Sequence, residues 1–263
     1  MDILEEELEA LTGFDKEIRT HTLPIWFESL VGVDWALLHL SPVYWGFGVE
    51  RGDGSPVIVV PGFLGSDFYL YELNLWLNRI GYKSYLSNIG WNADCLNTLA
   101  ERLIDTIKRA HKETGKRVHL VGHSLGGVLS RSAAVQHRDL VESVITLASP
   151  FRGVRSHPGV VELSDRIRKR IFSHGTIEEE EYPHCYTGHC DCLAVMSLHD
   201  GLPKDLKQTA IYTKTDGIVD WNNCISRRDH NNFEVSGTHI GLVYNFQAYK
   251  LIAKRLAEMN TED

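Results

Sequence analysis

Two hydrophobic rhythms alternate along this chain from Pro56 onward. Short apolar runs recur as VIVV (Val57–Val60), KSYLSN, VHLVGH, VESVITLAS, TAIYTKT and NFEVS. Such runs, without a strict apolar–polar alternation, are what strands buried on both faces require. Between them the apolar spacing widens to that of a helix over Asp67–Ile80, Asn92–Thr114 and Gln247–Met259. In the second of these, Leu96, Leu99, Leu103, Ile107 and Ala110 share one face. Strands and helices in alternation predict an α/β class, with a mostly parallel central sheet covered by helices on both faces.

Two segments break the rhythm. Residues 1–54 form a preamble in which Leu4, Leu8 and Leu11 suggest a short acidic amphipathic helix. The apolar stretch LPIWFESLVGVDWALLHLSPVYWGFGV follows, with Trp26, Trp35 and Trp45. It is expected to pack on the main domain as a helix and strand pair. The competing reading is a surface that contacts lipid or borders a ligand entrance. The second break runs between Pro150 and Pro203, where RIRKR, EEEEY and many His and Cys residues replace the apolar pattern. That stretch is too long for a crossover loop. Ligands in open α/β sheets bind at the carboxyl ends of the strands, so an insert there is expected to form a cap over the site. The expected organisation is a preamble (1–54), a core (55–150 and 206–263) and an inserted cap (151–205).

Composition narrows the classes of partner. With 263 residues, 43% hydrophobic and 24% charged, the chain can bury one large core. Its net charge of −8 argues against nucleic acid and anionic membranes as partners. No apolar run reaches the roughly 20 residues of a membrane span. The acidic start, MDILEEELEALTGFDKE, is unlike a secretory signal, so a cytoplasmic protein is expected. The cysteines leave secretion open: Cys185, Cys190 and Cys192 lie in HCYTGHCDC, Cys224 follows later, and Cys95 stands apart. Disulfides, free thiols, or zinc with His184 and His189 are all compatible with the spacing. The disulfide reading pairs Cys185 with Cys190 and brings Cys192 within reach of Cys224.

The sharpest chemical signal is VHLVGHSLGG, Val118 to Gly127. It reads as strand, then Gly122-His123-Ser124-Leu125-Gly126, then helix. Glycines on both sides of the serine permit a turn tight enough to hold Ser124 strained and exposed, as a nucleophile must be. A nucleophilic serine needs a base, an orienting carboxylate and donors for an oxyanion. Pro61-Gly62-Phe63-Leu64-Gly65-Ser66-Asp67 follows the first strand, so the N–H groups of Phe63 and Leu125 are the expected oxyanion donors. The same loop can also be a βα turn in which Ser66 or Asp67 caps the helix. Asp216 lies just past a later strand in TAIYTKTDGIVDW, with Asp220 as its rival four residues on. His239, after the last strand in NFEVSGTHIGL, completes the order Ser, Asp, His. His123 and His119 read as packing residues, and His230 as part of a polar turn.

Taken in order, VIVVPGFLGSD, VHLVGHSLGG, TLASPFRG, YTKTDGIVDW and GTHIGL resemble the α/β-hydrolases, and within them the bacterial lipase and esterase group. The resemblance spans about residues 56 to 245. It implies Ser124 as nucleophile, His239 as base, Asp216 as acid, and Phe63 and Leu125 as oxyanion donors. The expected activity is hydrolysis of a small-molecule carboxylic ester, acyl or aromatic, through an acyl-enzyme and without a cofactor or metal. An acyltransferase with the same triad and a non-catalytic binding protein on the same fold are the alternatives.

Overall fold

Strand β1 (Pro56–Val60) shows how the sheet is assembled. Val57 and Val59 point into one apolar layer and Ile58 and Val60 into the other, and all four are fully buried. The remaining strands are β2 (Lys83–Leu86), β3 (Val118–His123), β4 (Val141–Leu147), β5 (Lys207–Tyr212) and β6 (Asn232–Glu234). They form one sheet in the order β2-β1-β3-β4-β5-β6, and every pairing is parallel. The architecture is the α/β-hydrolase fold. The computed structural model describes residues 22–153, 191–203, 205–226 and 229–260, together with 159, 162–163 and 166–167.

The main helices among the described residues are α1 (Val31–Leu40), α2 (Tyr71–Arg79), α3 (Leu96–Thr114), α4 (Leu125–Gln136), α5 (Leu193–His199) and α6 (Phe246–Asn260). Helices α2 and α6 cover one face. Leu73, Trp76 and Leu77 of α2 meet Ala248, Tyr249, Ile252, Ala253 and Leu256 of α6 in a layer with Val121, Ile145 and Ile211. Trp76 packs against Tyr249 with the rings tilted, 4.6 Å between centroids, and donates its indole N–H to the Val43 carbonyl at 2.8 Å. A buried indole thereby meets the need for a partner that its burial creates. Helices α3, α4 and α5 cover the other face through Leu99, Leu103, Ile107, Leu129, Ala133 and Val195.

The expected strands and the main helices fall where the periodicity puts them, with differences at three places. Helix α3 begins at Leu96 rather than Asn92, because Asn92 is drawn away to hold a loop at the site. The preamble holds no strand among its described residues. After a 3-10 turn (Ile25–Leu30), α1 is followed by turns up to β1. The expected acidic helix at Leu4–Leu11 lies outside the described residues. Finally, α5 and Leu206 pack in the helical layer with α3 and α4, so the end of the segment assigned to a cap belongs to the core. Ser132 donates to the Ala194 carbonyl at 2.8 Å, and the Ala194 N–H donates to Asn97 at 3.2 Å. Most of 154–190 lies outside the described residues.

Candidate active site

Strand β3 ends in a turn that only a particular sequence tolerates. Ser124 sits at φ 51°, ψ −124°, where a side chain is strained. The surroundings hold it there: the Ser124 N–H donates to the Leu147 carbonyl at 2.8 Å, and the Gly127 N–H to the Ser124 carbonyl at 3.0 Å. A Cβ at Gly126 would collide with the carbonyl oxygens of Val60 and Pro61, so helix α4 can approach the sheet this closely only with glycine there. The hydroxyl-bearing residue is thus fixed at the first turn of α4, beside N–H groups that no helical carbonyl claims.

Across the sheet edge lie Asp216 and His239. The Nδ1 of His239 is 2.7 Å from Oδ2 of Asp216, and both side chains are almost wholly buried. Oδ1 of Asp216 accepts the N–H groups of Ile218 and Val219, each at 2.8 Å. The rival Asp220 has a different role. Its Oδ1 accepts from the Asn222 backbone and side chain and caps the 3-10 segment Trp221–Asn223. His230 is exposed on another turn. Burial pulls His239 toward its neutral form, but the Asp216 charge and hydrogen bond, with Glu28 beyond, hold its pKa above the ordinary imidazole value.

His123 does more than fill space. Its Nε2 donates to the His239 carbonyl at 2.9 Å, and the two rings stand 4.9 Å apart. The bond ties the backbone of His239 to the residue preceding Ser124. Burial, aided by His239, pushes the His123 pKa down to about 3. An unfolded chain would take up that proton near pH 6.5. Stability linked to His123 is therefore complete above that pH and is lost as pH falls toward 3. At 1.36 kcal/mol per pH unit the loss should be roughly 2–3 kcal/mol by pH 4.5. Urea midpoints at pH 7.5 and 4.5 should separate less for His123→Gln, which keeps a donor for the carbonyl, and an equal separation in both proteins would dismiss this origin.

The loop of Phe63 is brought to Ser124 by register. Val60 of β1 pairs with Gly122 of β3, so Pro61 and Gly62 lie beside His123 and Ser124. A Cβ on Gly62 would stand 3.0 Å from that of Ser124. Phe63 follows directly. Buried Asn92 clamps the loop: its Nδ2 donates to the Pro61 carbonyl at 2.7 Å, its N–H to Gly65 at 3.0 Å, and its carbonyl accepts from Leu64 at 2.9 Å. The alternative reading of this loop, a helix cap by Ser66 or Asp67, does not hold for Asp67. Its carboxylate accepts the backbone N–H of Ser87 at 3.0 Å and of Asn88 at 2.8 Å, fixing the loop after β2. Ser66 makes no side-chain cap either.

The sequence missed Asn92 and Glu28, whose backbone partners lie far away in the chain. The expected bridge from Cys192 to Cys224 is not formed. Cys224 is a buried thiol directed at the Asp220 carbonyl at 3.8 Å, and burial raises its pKa. Cys185 and Cys190, with His184 and His189, lie outside the described residues. The start of the second break is tied to the acid-bearing loop, since the Arg152 N–H donates to the Asn223 carbonyl at 3.1 Å.

Comparison with known proteins bears on the family and the fold. A family model described as the PGAP1-like alpha/beta domain matches residues 89–238, more than half of the chain. A triacylglycerol lipase from Burkholderia plantarii is 36% identical over 133 residues, covering 47% of this chain and 37% of that protein. One from Pseudomonas fragi is 27% identical over 173 residues, covering 64% and 56%. The chain thus spans between 34% and 56% of the length of the curated relatives it matches first. Among solved structures, Bacillus licheniformis lipase BlEst2 superposes with a TM-score of 0.53 at 18% identity, over 80% of this chain and 96% of that one. That likeness is one of fold.

Proposed function

The chain belongs to the PGAP1-like alpha/beta domain family, and from that membership and the site geometry we propose that it is a serine carboxylic-ester hydrolase. The observation that carries the reading is the buried Asp216–His239 pair, joined through His123 to the strained elbow of Ser124. In the proposed reaction His239 takes the Ser124 proton through its Nε2 as the oxygen attacks the ester carbonyl. The N–H groups of Phe63 and Leu125 receive the developing oxyanion. The imidazolium returns its proton to the departing alkoxide, leaving an acyl-Ser124, which water then cleaves with His239 again as base. Asp216 keeps the imidazole in the Nδ1–H tautomer throughout.

The triacylglycerol lipases among its relatives direct the choice of substrate toward acyl esters. The preamble supports contact with a lipid surface. Trp26, Trp35 and Trp45 are all about half or more exposed, and Trp26 lies on the same 3-10 turn as Glu28, which touches the His239 loop. Among the described residues no helix is long and apolar enough to cross a membrane, so these tryptophans would rest on a surface. With a net charge of −8 that surface should be zwitterionic. A panel running from soluble p-nitrophenyl esters to emulsified triacylglycerol tests the activity. It is paired with tryptophan fluorescence on phosphatidylcholine vesicles. Turnover of at least one ester class, with a blue shift on vesicles, is expected. No turnover and no labelling by a fluorophosphonate would discard the hydrolase, and unchanged fluorescence would discard the lipid contact.

A further inference from the structure

Two carboxylates from the preamble, Glu28 and Asp34, are buried under the loop that carries the base. Glu28 is only 6% exposed. Its Oε1 accepts the N–H of Gly217 at 2.9 Å and of His239 at 3.1 Å, and its Oε2 accepts the N–H of Ile240 at 2.9 Å. One side chain therefore receives backbone donors from both loops of the Asp–His pair. Gly217 is the residue after the acid, and a Cβ there would sit 3.0 Å from the Glu28 oxygen. The Leu23 N–H adds a second link by donating to the Asp216 carbonyl at 2.8 Å. Asp34 works one residue earlier on the base loop, accepting the N–H and hydroxyl of Thr238, both at 3.3 Å.

The peptide of His239 is consequently fixed from opposite ends. Its N–H is held by Glu28 and its carbonyl by His123. We propose that Glu28 is a positioning residue for the hydrolytic reaction, holding the Asp216 and His239 loops in register and setting a fixed negative charge behind the imidazole. The proposal rests on the ester-hydrolase reading of Ser124, Asp216 and His239. It assigns the preamble a part in catalysis that its sequence, outside the matched family region, does not record.

The charge has a measurable consequence. The groups facing His239 are Asp216 from the loop after β5, Glu28 from the 3-10 turn of the preamble, and His123 from the end of β3. Asp34 acts on the same loop through Thr238, and the ring of Tyr69 packs against His123. His123 is neutral at working pH and Asp216 remains in every variant below, so Glu28 is the charge that is changed. Its removal should make the imidazolium less favourable. Activity against ester should then persist to lower pH, since the base must be neutral to act.

Glu28→Gln is nearly isosteric but loses the charge and one acceptor, because its amide N–H₂ cannot accept from Ile240. The expected result is a fall in kcat of about 10- to 100-fold with KM little changed. The acid limb of kcat/KM should move to lower pH. Glu28→Asp keeps the charge on a shorter stem, so its acid limb should stay at the wild-type position while kcat falls. Fluorophosphonate labelling of Ser124 in the wild type separates this proposal from the reading beneath it. If the wild-type protein is neither labelled nor active on esters, the hydrolase reading falls and Glu28 falls with it. If the wild type is active and Glu28→Gln keeps its kcat and its acid limb, the positioning role alone is overturned. A loss of activity that merely follows lost folded fraction, with the limb unmoved, overturns it as well. Should Glu28→Gln not fold, a Glu28→Asp variant with wild-type kcat would overturn the positioning role in its place.

Discussion

Ser124→Ala is expected to lower ester turnover by roughly 10⁴- to 10⁶-fold while the protein remains folded. The size of the loss follows from what the substitution leaves untouched. Alanine keeps the Cβ, so the strained backbone at φ 51° and the bonds from Ser124 N–H to Leu147 and from Gly127 N–H to the Ser124 carbonyl stay in place. The glycine contacts that let α4 meet Val60 and Pro61 stay too. What disappears is the oxygen that would attack, and with it the covalent route. The oxyanion donors and substrate binding should still give a residual acceleration of roughly 10³–10⁴ over water. Steady-state assays on a soluble ester, circular dichroism and fluorophosphonate labelling together decide the matter. A folded Ser124→Ala protein that hydrolyses esters at near the wild-type rate would end the case for an acyl-enzyme.

The parts of this site that were legible in the sequence are those whose physics is local. A strand buried on both faces must be largely apolar, so β1 stands out as an unbroken apolar run, and β3 and β4 as runs of Val, Ile and Leu that hold only a few polar residues. A turn that tight must carry glycine around its serine, so Ser124 is marked by its neighbours. Asp216 was separable from Asp220 because it lies nearer the end of β5, where the sheet holds a loop most firmly. Glu28 and Asp34 left no such trace. Amid LPIWFESLVGVDWALLHL they look like the polar positions of a helix, and their partners, mostly backbone N–H groups, lie 189 to 212 residues away. Asn92 resembles the start of a helix and is instead a clamp on the loop of Phe63. The preamble misled in another way. Helix α1 is apolar on nearly every side yet buries only Asp34 and Leu38, so hydrophobicity there does not report contact with the core. Helix α5 was lost because seven residues beside a run of Cys and His carry too little period to be told from a loop.

Asp216→Asn should reduce kcat by roughly 10⁴-fold, with the fold preserved, although the two side chains have the same shape. The reason lies in how the carboxylate is shared. Oδ1 accepts the N–H groups of Ile218 and Val219, and Oδ2 takes the proton of His239 Nδ1. An asparagine has one accepting atom, and two backbone donors compete for it. Its oxygen must stay with Ile218 and Val219, which turns the N–H₂ group toward His239. The ring nitrogen facing a donor must then be the unprotonated one. The proton moves to Nε2, the nitrogen that should receive the proton of Ser124. The base is present, placed and neutral, but in the wrong tautomer. Raising the pH cannot repair this, because the fault is the site of the proton rather than its number. Loss of the Asp216 charge also removes the main influence holding the His239 pKa up, so what activity remains should extend to lower pH than in the wild type. Asp220→Asn supplies the contrast. That carboxylate caps the 3-10 segment through Asn222, while His239 pairs with Asp216, so its replacement should alter kcat by less than about 10-fold. Kinetics of the two variants on one soluble ester are enough: if Asp220→Asn proves the crippled enzyme and Asp216→Asn the competent one, the assignment of the acid is reversed.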